Sequence, residues 1–226
     1  MGTNHGRIIR ENSRSNLISI YDSNRSASEH AARQWDTRAA QSIEELDSVD
    51  AVVIATSTAG HAAIARHFVS QGKPVLVEKP LCDTLEETQK IVELAESLDS
   101  VLMCGFVERF NPAVVTALKM LDEPVRHIST YRHSPFNPRA SSSVVTDLLI
   151  HDLDLTARLA PLDEPTEIGS ALWKPHPHGF TETVDGVIQF GDQMTATQSA
   201  SRWGQRKIRE VRLSTDSLLL EIDLLR

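Results

Sequence analysis

Two short constellations in this chain carry side chains able to do acid–base chemistry. The first is Val75-Leu76-Val77-Glu78-Lys79-Pro80, an apolar, partly β-branched run followed by a carboxylate, an ammonium and a proline that stops the strand. The second is Asp147-x-x-x-His151-Asp152, whose four-residue spacing puts Asp147 and His151 on one face of a helix, within reach of a shared hydrogen bond. A base that accepts a hydroxyl proton, together with a cation beside the alkoxide left behind, is the minimum set for activating an alcohol. Imidazole with an aspartate partner supplies the first, and an ammonium the second. Plainer readings stand beside these: Glu78 and Lys79 as a salt bridge at a strand terminus, and His151 as a helix-surface histidine paired with Asp147 or Asp154.

The elements that must position these groups alternate. Residues 17–22 form an apolar strand ending on Asp22, and 26–35 a helix capped by Ser26. A short helix at 42–46 precedes a buried strand at 50–56. A helix at 59–71 leads through the Gly72-Lys73-Pro74 turn into the Val75 to Lys79 strand, and a helix at 85–98 leads into a strand at 101–105. Strand and helix in such alternation predict a parallel, doubly wound sheet, in which ligands bind outside the carboxyl ends of the strands. Glu78 and Lys79 stand at such an end. The rhythm changes after Gly105, and a domain boundary is expected near Asn111-Pro112, giving domains 1–110 and 111–226. The second comprises a helix at 113–121, a strand at 126–133, a helix at 144–159 and a meander of strands at 182–190, 194–202, 208–214 and 217–224, an α+β domain with a mainly antiparallel open sheet.

Composition narrows the class. With 226 residues, 40% hydrophobic and 24% charged, the chain has enough apolar surface for one large or two small domains. A net charge of -8 argues against a general nucleic-acid binder, which needs clustered Lys and Arg. Cys82 and Cys104 are too few for a disulfide framework or a thiolate metal cluster and fit core thiols in a reducing compartment. No apolar run approaches the ~18 residues of a membrane span and no signal-peptide pattern opens the chain. The expectation is a cytoplasmic protein, without nucleic-acid or membrane partners.

A Rossmann unit needs a first strand, a G-x-G-x-x-G turn and an acid about 20 residues further on to hold the ribose hydroxyls. Asp22 lies 20 positions after Gly2, as though Gly2 were the last glycine of that turn. The earlier glycines and the first strand, central in the doubly wound order, are then missing, which leaves its two neighbours without hydrogen-bond partners. A carboxylate at Asp22 bonds both ribose hydroxyls of NAD and repels a 2′-phosphate, so NAD is expected rather than NADP. Arg25 blurs this slightly.

Taken together, Met1-Gly2-Thr3-Asn4-His5, Glu78-Lys79-Pro80, Gly105 with Glu108-Arg109-Phe110-Asn111-Pro112, and Asp147-x-x-x-His151-Asp152 resemble the Gfo/Idh/MocA oxidoreductases, in the family's order and spacing. The segment from Glu108 to Asp152 is most similar to the branch that oxidises nucleotide-linked N-acetylhexosamines at the 3-position. The chain departs from the family at both ends, which points to a truncated gene model, a fragment or a degenerate copy. The resemblance implies an NAD-dependent dehydrogenase acting on a hydroxyl of a sugar, polyol or nucleotide-sugar, with a second domain whose open sheet supports a homo-oligomer. In it His151 is the general base, Asp147 orients or assists it, and Lys79 bridges substrate oxygen and nicotinamide. Cofactor contacts fall on Gly2, His5, Asp22, Thr56, Ser57, His61, Glu78, Lys79 and Pro80, and substrate contacts on Arg109, Asn111, Arg139 and His151.

Arg109, Arg132 and Arg139 carry guanidinium forks suited to phosphate or carboxylate, though each is also an ordinary surface charge. His61 is equally a residue of a helix N-terminus. His176 and His178 lie in a proline-restricted loop without ligands at metal spacing, so no metal is expected. Trp173 and Trp203 read as packing residues. Two alternatives remain: a truncated, inactive remnant, or a regulatory protein built on a dinucleotide fold.

Overall fold

Helix-forming and strand-forming segments alternate through the first half of the chain, and the computed structural model shows that alternation. It describes residues 1–138, 140, 142–162, 164–173 and 179–225. The chain divides into two compact units, Met1–Gly105 and Phe106–Arg226. The division precedes Asn111-Pro112 because the 3-10 turn Val107–Phe110 bonds to the second unit, Glu108 to Arg132 and Arg109 to Asp154.

The first unit begins with α1 (Gly2–Glu11) and continues as β1 (Ser19–Ile20), α2 (Arg25–Gln34), β2 (Arg38–Ala39), β3 (Val52–Ile54), α3 (Thr58–Val69), β4 (Val75–Val77), α4 (Leu85–Ser97) and β5 (Leu102–Cys104). All its strand pairs are parallel. They form two separate ladders, β1–β2 and β3–β4–β5, with no bond between β1 and β3. Asn24, rather than Ser26, caps α2: its side chain accepts from the Ala27 amide, because the helix starts one residue before the serine. Thr84 caps α4 by accepting from the Glu87 amide, and Glu86 and Glu87 complement the positive end of that helix. Its core face carries Ile91 and Ala95, spaced as an α-helix requires, which pack with Phe68, Val69, Val75 and Val77. Gly72, at φ +70, lets the chain leave α3 and enter β4.

The second unit contains α5 (Pro112–Met120), β6 (His127–His133), a π-helical segment (Val145–Leu149) running into α6 (Ile150–Leu159), and β7 (Glu167–Trp173), β8 (Thr183–Phe190), β9 (Met194–Ser201), β10 (Ile208–Ser214) and β11 (Leu219–Asp223). The sheet order is β11-β10-β6-β9-β8-β7. The expected meander is therefore interrupted: β6 lies between β9 and β10, parallel to β9 and antiparallel to β10. Alternation along β6 explains its central place, since Ile128, Thr130 and Arg132 are buried while Tyr131 is exposed. Val114 and Ala117 of α5 and Leu155 of α6 pack with Ile128, Ala196, Val211, Leu213 and Ile222 on one face of the sheet. The opposite face carries Tyr131, Asp185 and Val187 and is exposed.

Trp173 and Trp203 pack against each other near the surface, outside the buried core. Both are about half exposed, they meet edge-on at 5.2 Å, and Trp203 also meets Phe136 at 5.2 Å.

Candidate functional site

In the first unit the relevant groups collect at the carboxyl ends of the parallel strands. Val75 and Val77 are buried, β4 pairs on both sides, and Glu78 follows as a carboxylate only 6% exposed. A buried carboxylate needs partners. Glu78 Oε1 lies 2.6 Å from His5 Nε2 on α1, and the Glu78 amide donates to the Ile54 carbonyl at 2.9 Å. Gly105 closes the other side: a Cβ there would lie 3.1 Å from Glu78 Oε2 and 3.3 Å from its Cα. Lys79 is half-buried, and the Lys79–Pro80 peptide is cis.

Pro80 is tied back to α3. His61 Nδ1 donates to the Pro80 carbonyl at 2.9 Å, and Nε2 lies 3.3 Å from the Thr56 carbonyl. At 1% exposure His61 has no open face for a ligand in this structure; it fixes the ends of β3 and β4. Thr56 and Ser57 are exposed just beyond β3, with Ser57 at the N-cap of α3. Asp22 is exposed just beyond β1, and its Oδ1 accepts from the Asn24 amide at 2.8 Å. Gly2 is exposed at the start of α1, whose first turn has no acidic residue. Such a helix start suits a phosphate, and the exposed Asp22 carboxylate suits ribose hydroxyls, so this strand-end set fits a dinucleotide.

Gly6 was not singled out by motif reasoning. It is buried one turn into α1, and a Cβ there would lie 2.5 Å from the Trp35 ring. A glycine in the first turns of a helix that meets an indole further along the chain is the signal that could have marked it.

In the second unit Asp147 sits in the π-helical segment and His151 in the first turn of α6, both half-buried. Asp147 Oδ2 accepts from Arg202 Nη2 at 2.9 Å. The arginines divide their work. Arg109 forks onto the buried Asp154, with Nε 2.8 Å from Oδ2, and lies over the Phe106 ring. Arg132 is 2% exposed, so the expectation that it meets a substrate anion is corrected: it donates to Asp152 through Nε and Nη2 and to Glu108 through Nη1. Burial works against that charge, but the hydrogen bonds and charges of Asp152 and Glu108 outweigh it and raise the guanidinium above its ordinary value. Asn111 caps α5, its Oδ1 accepting from the Ala113 amide while Nδ2 donates to Glu108 and to the Leu224 carbonyl. Arg139, His176 and His178 lie outside the described residues. Among the described residues, no group of three or more His, Cys, Asp or Glu is placed to hold a metal ion, and no helix is long and apolar enough to cross a membrane.

Comparison with known proteins agrees with this geometry. The family model for the Gfo/Idh/MocA oxidoreductases, NAD-binding Rossmann fold, matches residues 1–106. The chain is 33% identical over 156 residues to the UDP-N-acetylglucosamine 3-dehydrogenase of Acidithiobacillus ferrooxidans, covering 68% of this chain and 50% of that protein. It is 27% identical over 179 residues to an inositol 2-dehydrogenase of Rhizobium meliloti, covering 74% and 54%. The chain spans about half the length of these curated relatives. A solved structure of the Acidithiobacillus ferrooxidans enzyme superposes with a TM-score of 0.92 at 27% identity, over 99% of this chain and 71% of that one. The sequence match, the fold and the relatives agree, and the chain belongs to the Gfo/Idh/MocA family of oxidoreductases.

Proposed function

We propose that this chain is an NAD-dependent dehydrogenase that moves a hydride reversibly between nicotinamide and the hydroxyl-bearing carbon of a sugar, polyol or nucleotide-sugar. The observation that carries the reading is the end of β4, where a buried Glu78, bonded to His5 and closed by Gly105, precedes Lys79 in a parallel sheet matched by an NAD-binding family. The similarity to a UDP-N-acetylglucosamine 3-dehydrogenase supports the nucleotide-sugar class within that range.

When bound, NAD supplies the hydride acceptor. Asp22 accepts from the ribose hydroxyls and repels a 2′-phosphate, which favours NAD over NADP. Gly2 lets the pyrophosphate approach the start of α1, and His5, Thr56, Ser57, Glu78 and Pro80 shape the strand ends around the cofactor. His61 acts on these contacts through the Thr56 and Pro80 carbonyls. Lys79 holds the substrate oxygen and stabilises negative charge on it; His151 takes the hydroxyl proton, and Asp147 keeps the imidazole oriented. Arg109, Asn111 and Arg139 contribute to the substrate side. The exposed face of the second unit's sheet is the surface on which copies of the chain pair into a homo-oligomer, and Cys82 and Cys104, buried and half-buried and not joined in a disulfide, fit a reducing cytoplasm.

A second reading, a dinucleotide-fold protein without turnover, is favoured by one observation. The β1–β2 and β3–β4–β5 ladders share no bond, so the strand ends bearing Asp22 and Lys79 are not fixed to each other by one sheet.

Titration of the 226-residue chain with NADH and NADPH, followed by fluorescence, tests the first reading. Saturable binding that prefers NADH, with turnover of UDP-N-acetylglucosamine or inositol lost in His151→Ala, supports it. A folded chain that binds neither nucleotide sinks it.

A further inference from the structure

Three charged side chains of the second unit meet at the open end of the β8–β9 hairpin. Glu182 stands immediately before β8 and Arg202 immediately after β9, and the Arg202 amide donates to the Glu182 carbonyl at 2.9 Å. Both residues are enclosed, Glu182 at 0% and Arg202 at 2% exposure. Arg202 Nη1 donates to the Ser142 carbonyl at 2.8 Å and to Glu182 Oε1 at 3.3 Å, while Nη2 donates to Asp147 Oδ2 at 2.9 Å. Of the three side chains only Asp147 reaches solvent, at 43% exposure.

The arrangement is more than packing requires. Two carboxylates converge on one guanidinium, and Glu182 Oε2 is buried without a hydrogen-bond partner among the described residues, a cost that an apolar residue at this position would avoid. The cost makes sense if Glu182 anchors Arg202 so that its fork points outward at Asp147. Asp147 in turn occupies a π-helical segment, a local widening that gathers at functional sites, directly before the helix bearing His151.

We propose that Arg202 is a positioning residue for Asp147, with Glu182 as its buried anchor, and that together they hold the Asp147 carboxylate ionised and in one orientation at the entrance to α6. The proposal rests on the reading of Asp147 as the working partner of His151. It assigns a role to two residues outside the motifs that mark the family in this chain.

The test is a carbon-13 titration of aspartate carboxyl carbons in the full chain, with Asp147→Asn identifying the Asp147 signal. The informative variant is Arg202→Gln combined with Glu182→Gln, which neutralises both buried partners and so strands neither as a lone charge. In that variant, shown folded by circular dichroism, the Asp147 midpoint moves to higher pH by about one unit or more, because the neighbouring cation is gone. An unchanged midpoint in the folded double variant overturns the proposal. If the double variant does not fold, Arg202→Lys decides: a lysine keeps the charge without the fork, so the midpoint rises by a smaller amount, and no rise overturns the proposal. Turnover is read separately, with kcat falling about tenfold to a hundredfold and KM little changed in the double variant. A moved Asp147 midpoint in a chain that binds no NADH keeps the positioning role and sinks the dehydrogenase reading instead.

Discussion

His5 Nε2 and Glu78 Oε1 lie 2.6 Å apart although 73 residues separate them in the chain. The contact joins the first turn of α1 to the end of β4, so the helix start that suits a phosphate and the strand end bearing Lys79 are set by one hydrogen bond. We predict that Glu78→Gln, which keeps the volume but removes the charge, lowers stability by about 1–3 kcal/mol. NADH affinity falls with it. Urea denaturation read by tryptophan fluorescence checks the first, and NADH titration below the transition the second; unchanged affinity in the folded variant would show that this bond plays no part in cofactor binding.

Gly6 and Trp35 give a sharper steric test. A Cβ at Gly6 would lie 2.5 Å from the indole and 4.0 Å separates the corresponding Cβ at Gly2 from Ala55, so of these two glycines of α1 Gly6 is the crowded one. Gly6→Ala is expected to destabilise the first unit by about 1–3 kcal/mol through overpacking. Combining it with Trp35→Leu, which empties the space, recovers stability relative to the sum of the two single changes. Strictly additive losses in thermal melts would mean the two residues do not press on each other.

Much of the fold was legible because its signals are local. The Val75 to Val77 run, the helical stretch at 85–98 and the Gly72 turn each act over a few residues, and each element they predict is present. What escaped was non-local or weak. The two-residue strand β2 has too few side chains to show a period, and β7 shows none because Glu167, Gly169, Ser170 and Ala171 do not alternate and every residue of β7 is exposed. The insertion of β6 between β9 and β10 depends on pairings across more than 60 residues, which no window of sequence records. At the site, Glu78, Lys79, Asp147 and His151 were marked by motif spacing. The Glu182–Arg202 pair was not, since each residue sits at the edge of a strand where a charge reads as solvent-facing.

The buried ion cluster of the second unit makes its own prediction. Arg132, Asp152 and Glu108 share one guanidinium, with Arg132 and Asp152 each 2% exposed. Arg132→Ala leaves the Asp152 carboxylate enclosed without its cation, an uncompensated buried charge that costs about 3–5 kcal/mol. Arg132→Met with Asp152→Leu and Glu108→Gln removes all three charges while roughly keeping side-chain volume, and is expected to be markedly less destabilised than Arg132→Ala. Thermal unfolding of the three proteins distinguishes the cases: equal losses would show that the cluster matters for its shape rather than its charge.

The separate roles proposed for Lys79 and His151 predict different kinetic signatures. His151→Ala removes the group that accepts the hydroxyl proton and lowers kcat by about 10²–10⁴-fold with little effect on NADH binding. Lys79→Ala also lowers kcat, because an ammonium beside the developing alkoxide acts most strongly when that charge appears. The two losses should differ in their response to pH. In wild type, turnover of the alcohol rises with pH as His151 loses its proton and becomes able to accept another. In Lys79→Ala that rise remains, displaced and at a lower plateau, whereas in His151→Ala the histidine step disappears and the remaining rate follows hydroxide. Measuring kcat/KM from pH 5.5 to about 9 in the three proteins is the check, since histidine is the side chain that changes charge in the physiological range. A His151→Ala profile that keeps the wild-type inflection would move the base to another residue and leave Asp147 without the partner assigned to it.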